Sequence, residues 1–299
     1  MRVDPFFNLS LNSSLDNLTT QQNSLTTQLS SGLAVALPSD DPLAAAQSVA
    51  LGSAISRDDS YVQSATSIES RMQVSDSALG SAVTEITAAI SLAVSGLNGT
   101  TDGSELGSVS TQMGNIRDQV MSLANTSYAG SYVFSGTAGS TLPYTNNATT
   151  TPATAVYAGD GNQEFTQTPS GQKIAVSLPG SAIFSASGAD VLGSLNKLVA
   201  DFASGTPSAS TQADMNELSA GLSNLTALRA VLGSSLSTLQ QTSTYASTDE
   251  VNLEAAQSAL VSTNTATVAT ELSSSETQQK ALMSVMSMPN TSLFETMRG

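Results

Sequence analysis

Cysteine, histidine and tryptophan are absent from this chain of 299 residues. Without cysteine there are no disulfides, so the fold stands on packing alone. Without histidine or cysteine, the common nucleophile–base pairs and nearly all zinc sites are out of reach. A site built from carboxylates alone remains open. Positive charge is scarce: 9 Lys and Arg against 24 Asp and Glu leave a net charge of −15. A surface that grips nucleic acid must be basic, so nucleic acid is excluded as a partner. Anionic membrane surfaces are disfavoured for the same reason. No apolar run reaches 18 residues, so no transmembrane helix is expected. Residues 1–15 carry Arg2 but then Asp4, Asn8, Asn12 and Ser13, without an apolar stretch or a small-residue cleavage site. No cleavable signal peptide is expected there.

Serine and threonine fill the space that charge leaves, about 85 residues in all, far above average usage. A hydroxyl surface has little charge repulsion and packs closely against copies of itself. Aromatics and prolines are scarce and unevenly placed. Eight of the thirteen aromatics fall between Tyr128 and Phe202, and five of the nine prolines lie at 143, 152, 169, 179 and 207. The flanks are nearly free of both. The chain therefore reads as two helical arms around a central module with a conventional core.

In the N-terminal arm, Leu11, Leu15, Leu18, Leu25 and Leu29 step by four and three, with Gln22 in the one polar slot. That spacing is an a/d seam for a partner helix. Ser31-Gly32 ends the segment, where Gly serves as a C-cap. Asp41 is placed to cap the next helix, with Pro42 at its first position, where a missing N–H costs nothing. The pair Asp40-Asp41 also suits the positive end of the helix dipole.

A second helix is predicted from about Leu43 to Leu97, roughly 80 Å long. Its seam runs Leu51, Ile55, 58, Val62, Ala65, 69, Met72, 76, Leu79, Val83, Ile86, Ile90, Ala93 and Leu97, interrupted only by Asp58, Glu69 and Asp76. Asn98-Gly99 stops it. A third helix carries Leu106, Val109, Met113, Ile116, Val120 and Leu123, and ends near Asn125.

The central stretch 128–185 reads as short strands: 132–136, 155–157, 163–165 and 174–176. Gly159-Asp160-Gly161 and Pro169-Ser170-Gly171 are the turns between them. The second of these is expected to be a hairpin loop between Phe165 and Ile174. A helix is expected over 189–203, with Val191, Leu195, Leu198, Val199 and Phe202 on one face.

The C-terminal arm returns to heptads at Leu218, Leu222, Leu225, Leu232, Leu236 and Leu239, with Arg229 breaking one slot. The frame weakens through Ala246, Leu253 and Leu260. A second register, Val268, Leu272, Leu282 and Met286, starts after Asn264, so a bend or a change of partner is expected there. Pro289 ends the helix.

These readings combine into a mainly α fold with an inserted β-rich module. The two arms form a long antiparallel helical rod. The expected divisions are 1–42 (assembly helix and link), 43–127 (rod helices), 128–205 (β-rich outer module), 206–264 (returning rod helix) and 265–299 (C-terminal assembly helix). The outermost seams, Leu11, Leu15, Leu18, Leu25, Leu29, Val268, Leu272, Leu282 and Met286, either bury against each other in an ordinary intramolecular bundle or form an assembly interface with neighbouring subunits; the assembly interface is the expectation carried forward. The helix start and link fall on Gly32, Asp40, Asp41 and Pro42. Capping is the simplest role for Asp40 and Asp41, since no further carboxylates cluster beside them to hold a metal. No cofactor, metal or catalytic residue is expected.

A leucine heptad, then Leu29-Ser30-Ser31-Gly32, then Ser39-Asp40-Asp41-Pro42-Leu43-Ala44-Ala45-Ala46, resembles the flagellin superfamily. The Asp-Asp-Pro start is closer to its hook–filament junction branch than to flagellins, which usually carry Asp-Asp-Ala-Ala-Gly there. Gly130-Ser131-Tyr132-Val133-Phe134-Ser135-Gly136-Thr137 is similar to the family's strand entering the β module. Tyr157-Ala158-Gly159-Asp160-Gly161 is similar to its Tyr-x-Gly-Asp segment. Thr267 to Ser273, with Gln278, Gln279, Leu282 and a closing Ser292-Leu293-Phe294, resembles its C-terminal helix. The Met-rich end (Met283, Met286, Met288) departs from the pattern.

The resemblance implies export through the flagellar type III apparatus, with a chaperone holding the C-terminal arm. It implies an extracellular place in the bacterial flagellum and assembly as a ring of subunits between a neighbouring hook-associated protein and flagellin. It also implies terminal helices that form an inner core, with the β module facing outward. Two alternatives stand beside this adaptor reading. One is flagellin itself, the bulk filament subunit. The other is a secreted adhesin or enzyme on a helical stalk, whose site would lie in 128–205, where Asp160, Glu164, Lys173, Asp190 and the tyrosines form no recognisable catalytic constellation.

Overall fold

The computed structural model describes residues 5–97, 103–206 and 209–287. The readings placed on Asn98-Gly99, Pro207, Met288, Pro289 and Leu293-Phe294 lie outside them. Among the described residues, seven helices and six short strands follow in the order α1 (Pro5–Ser31), α2 (Pro42–Leu97), α3 (Gly103–Ala124), β1 (Ser127–Tyr128), β2 (Ser131–Tyr132), β3 (Tyr144–Asn147), β4 (Thr154–Tyr157), β5 (Phe165–Gln167), β6 (Lys173–Ala175), α4 (Gly180–Ile183), α5 (Val191–Ala203), α6 (Ala209–Val261) and α7 (Thr265–Ser287). The protein is mainly helical with an inserted antiparallel module, as its periodicities predict. The chain divides into two compact units, residues 1–56 with 249–299 and residues 57–248.

Unit 57–248 holds most of the core. Along α2, Asp58, Ala65, Met72, Leu79, Ile86 and Ala93 are buried at every seventh position. Along α6, Leu218, Leu225, Leu232, Leu239 and Ala246 repeat the same interval. This is the a/d geometry that buries one stripe of each helix. The two run antiparallel: the hydroxyls of Tyr61 and Thr242 lie 2.6 Å apart, and Arg229 Nε donates to Asp76 Oδ1 at 2.8 Å. Asp76 and Arg229, the apparent faults in two seams, are thus partners, with a second bond from Arg229 Nη2 to Asp76 Oδ2 at 3.0 Å. The guanidinium lies over Gly80, where a Cβ would stand 3.1 Å from it.

α2 carries a second buried row, Tyr61, Ser75, Ala82 and Ala89, which a leucine-based pattern passes over. An 18-residue window of α2 is long and apolar enough, by length and composition, to cross a membrane, with mean hydropathy 1.5. The buried Leu79, Ala82, Ile86, Ala89 and Ala93 of this helix belong to one core cluster with residues of α3, α5 and α6.

The strands form three separate two-stranded antiparallel sheets, β1–β2, β3–β4 and β5–β6. The predicted run 132–136 pairs only at its start, because Gly136 turns the chain at φ +71°. β3 is not apparent as a strand from Tyr-Thr-Asn-Asn alone. It forms because its four residues pair with β4, Tyr144 opposite Tyr157. The β5–β6 hairpin closes through Pro169-Ser170-Gly171, with Gly171 at φ +89°. The module's core is aromatic: the ring of Phe184 meets Phe134 edge-on at 5.6 Å and Tyr144 at 6.0 Å. α5 starts at the cap Asp190, which accepts from Gly193 N at 2.8 Å. Its Val191, Leu195, Leu198 and Phe202 are buried, and Phe202 packs where a Cβ on Gly96 would stand 2.7 Å away.

Candidate assembly site

The link between α1 and α2 is built from backbone capping. Gly32 takes φ +71°, the left-handed conformation that ends a helix without a Cβ clash, and its N–H donates to Gln28 O at 2.8 Å. Asp41 Oδ1 accepts the N–H groups of Leu43 and Ala44, both at 3.0 Å, and Pro42 is the first residue of α2. Asp40 Oδ2 accepts from Leu37 N at 2.8 Å, closing the turn before the helix. Both carboxylates are therefore engaged by main-chain donors. Among the described residues, no group of three or more Asp and Glu is placed to hold a metal ion.

Just past Gly32 the two arms join through an antiparallel bridge between Leu33 and Ser262. Ala34 N donates to Val261 O at 2.8 Å and Thr263 N to Gly32 O at 3.0 Å. From there α1 and α7 pack side by side. Asn264 caps α7, its Oδ1 accepting from Ala266 N at 3.1 Å. The change of register after Asn264 is therefore a helix break, with α6 ending at Val261 and α7 starting at Thr265.

The seam between α1 and α7 is thin. Leu25 is 6% exposed and Val268 4%, but Leu11, Leu15, Leu18, Leu272 and Leu282 are only half-buried. Leu29 and Met286 remain 38% and 45% exposed. Within residues 9–56 and 249–286, Leu25, Ala44 and Val268 are the buried apolar residues, whereas Leu9, Leu37, Leu43, Val49 and Val251 are exposed. The two helices leave each other's apolar stripes partly uncovered, so this unit presents exposed hydrophobic surface.

Two of the family-like segments of the module meet at Asp160. Its Oδ1 accepts from Thr137 N at 2.8 Å and from Asn162 N at 3.2 Å, and Thr137 Oγ1 bonds Oδ2. The Tyr157 hydroxyl lies 2.9 Å from Phe134 O and 2.8 Å from Asp160 O. Hydrogen bonds from Thr137 hold the Asp160 carboxyl below its ordinary range, while burial pushes the Tyr144 and Tyr157 hydroxyls up. A carboxylate with a lowered folded pKa stabilises the fold above its unfolded pKa, and the contribution is lost as pH falls through the folded value. Protection of the Thr137 amide against hydrogen exchange should therefore weaken on acidification below about pH 4. In Asp160→Ala it should be weak already at neutral pH, with a flattened pH dependence. An unchanged protection profile in that variant would refute the Asp160–Thr137 hydrogen bond as the source of protection.

Two open depressions of about 710 and 580 Å³ flank Tyr128 on the α2 side of the module. Small hydroxyl residues, Val74, Leu123 and Phe165 line them, together with Arg71 and Glu164, which form an ion pair. Neither holds a nucleophile–base pair or two facing carboxylates. Asp190 is occupied as a helix cap.

The family model described as the bacterial flagellin N-terminal helical region matches residues 7–139. Flagellar hook-associated protein 3 of Escherichia coli K12 is 26% identical over 294 residues, 90% of each chain. The chain is similar to the flagellin superfamily over its N-terminal part and to a hook-associated protein over most of its length. Its likeness is to the hook-associated branch of that superfamily: flagellar hook-associated protein 3 of Salmonella typhimurium LT2 is 32% identical over 158 residues, 52% of this chain and 48% of that one. The same fold occurs in Xanthomonas campestris FlgL, at TM-score 0.60 and 17% identity, over 69% of this chain and 98% of that one. It occurs also in the flagellar junction protein FlgL of Legionella pneumophila, at TM-score 0.57 and 13% identity, over 73% of this chain and all of that one. These relatives are structural components of the flagellum, and flagellin itself is the less favoured reading.

Proposed function

We propose that this chain is the structural adaptor that joins the flagellar hook to the flagellin filament, assembling as a ring through its terminal helices. The observation that carries the assembly mechanism is the contrast between the two units. Residues 57–248 enclose a continuous core, whereas the α1–α7 pair buries little and leaves leucine, valine and methionine exposed. Burial of apolar surface is the main drive for association. Helices that end with apolar stripes half-covered gain that burial from equivalent helices of neighbouring copies. Few charges oppose this contact: α1 carries Asp16 and α7 carries Glu271, Glu276 and Lys280. Leu11, Leu15, Leu18, Leu25 and Leu29 of α1, with Val268, Leu272, Leu282 and Met286 of α7, form the assembly surface. Gly32, Asp40, Asp41 and Pro42 fix where the terminal helix ends and α2 begins.

The partners that follow from this reading are further copies of the chain, a neighbouring hook-associated protein below and flagellin above. A chaperone holds the C-terminal arm during export, which delivers the subunit to the extracellular flagellum. The test is deletion of the gene, followed by electron microscopy. Cells should carry hooks without filaments and shed flagellin into the medium. Normal filaments on the mutant would overturn the adaptor reading.

A further inference from the structure

Among the described residues of 57–248, Tyr245 is the most exposed large apolar side chain, at 72%, and Val231 is 53% exposed. Both stand on α6, 14 residues apart, a span of about 21 Å at the rise of an α-helix. Each directly precedes a residue of the buried row, Leu232 and Ala246, as Thr238 precedes Leu239. Val231, Thr238 and Tyr245 therefore form one ridge, turned about 100° from that row. Arg229, which reaches Asp76 of α2, lies on the other side of the row. The ridge thus points away from α2. From Ala230 to Thr248 the helix carries no charged residue, in a chain whose net charge is −15.

The two depressions beside Tyr128 lie on the opposite side of the same unit. Ser70, Val74, Ser77 and Ser81 of α2 line the first, and Ser67 and Arg71 line the second. Val74 stands two residues from both Met72 and Asp76, so it lies about 160° round the helix from each. This face of α2 points away from α6. The depressions join into a trough from Ser67 to Ser81, again 14 residues and about 21 Å. Tyr128 lines both and divides the trough in two. Each hollow is large enough for a tyrosine side chain. The charged residues that line it, Arg71 and Glu164, pair with each other.

The geometry points to lateral docking between copies of this chain, in which the α6 ridge of one seats in the α2 trough of the next. Two large side chains meet two hollows at the same spacing, and the smaller Thr238 passes Tyr128. Neither surface carries net charge, so two acidic chains approach there without like-charge repulsion. Within one chain the two surfaces face apart and do not meet. A contact between unlike surfaces is heterologous and repeats into a ring or a helix. This deepens the assembly reading, and its biological use rests on that reading. The offset between neighbours follows from the α2–α6 pairing. Arg229 is level with Asp76, which puts Val231 level with Val74 and Tyr245 level with Ser60 in their own chain. A shift of one heptad, about 10 Å, brings them level with Ser81 and Ser67, the two ends of the neighbour's trough.

The absence of native cysteine makes a cross-linking test clean in the full chain. Under that shift Ser234→Cys beside the ridge and Ser77→Cys in the trough come within one residue of level, and Val231 and Tyr245 stay in place. Disulfides form only where the Cα atoms approach within about 7 Å. The double variant is oxidised both on isolated flagella and as the concentrated purified chain. A ladder of dimers, trimers and longer species is expected in at least one preparation, with monomer alone from either single variant. Ser77→Cys with Gln240→Cys, which moves one cysteine to another face of α6, should stay monomeric. Adding Val231→Asp and Tyr245→Asp should lower the ladder by about ten-fold or more, since each carboxylate must leave water to enter the trough. Tyr245→Phe keeps the ring and should leave the ladder within about two-fold. Monomer alone in both preparations would overturn the docking. So would dimers from a single variant, because like surfaces would then be meeting. An equal ladder from the Gln240 pair, or one that survives the aspartates, would overturn it too. Normal filaments after deletion of the gene would remove the adaptor reading and leave the purified chain to decide the docking, so the two failures are told apart.

Discussion

Replacing Leu25 and Val268 together by aspartate should abolish filament attachment while leaving the unfolding of residues 57–248 unmoved. These are the two seam leucine and valine side chains that the α1–α7 pair buries best. Each substitution removes an apolar side chain, worth about 1.5–3 kcal/mol when fully buried. Each also asks a carboxylate to leave water, at an effective cost of several kcal/mol per ion. Both carboxylates would add to a chain whose net charge is already −15. A thin seam has no reserve against such a loss, so the helix pair should separate. The checks are motility of cells carrying only the variant, and calorimetry of the purified chain. Retained motility would show that the assembly surface lies elsewhere. A lowered main transition would show that the substitutions act on the core and not on assembly.

The opposite pattern is expected for Phe184→Ala. Phe184 is fully buried and touches both Phe134 and Tyr144 edge-on. Truncating a core phenylalanine costs about 3–5 kcal/mol, the lost transfer energy plus the cavity left behind. For a unit of this size that lowers the main melting temperature by about 10 °C. Phe165, 57% exposed on β5, supplies the control, because surface substitutions usually stay within about 0.5 kcal/mol. Equal shifts for Phe184→Ala and Phe165→Ala would mean that the aromatic cluster is not the module's core.

The helices were legible because their signals are redundant. The α2 seam read at four-three spacing has no exposed position from Leu51 to Leu97. Its boundary at Pro42 is written in the capping residues before it. The hairpin at Pro169 to Gly171 was legible for a similar reason, since Pro and Gly mark a turn through backbone geometry alone. What stayed hidden depends on residues far apart in sequence. The second buried row of α2 is made of alanine, serine and tyrosine, which a leucine-based pattern does not mark; its Tyr61, for one, is met by Thr242 of α6, far away in sequence. β3 needs β4 to be a strand at all. Asp76 and Arg229 looked like separate faults in two seams, yet opposite charges at matched depths in antiparallel seams were a readable sign of pairing.

The sequence by itself determined that this is a helical, flagellin-like chain with a small β insertion. Heptad spacing, caps and the lack of histidine and cysteine are local properties that survive without coordinates. Only the tertiary structure decided how the burial is shared out. It put nearly all of the core into residues 57–248 and left α1 and α7 with a seam too thin to cover their own apolar surface. The physical reason is that periodicity states which face of a helix seeks burial. How much it receives depends on the partners that the fold brings to it.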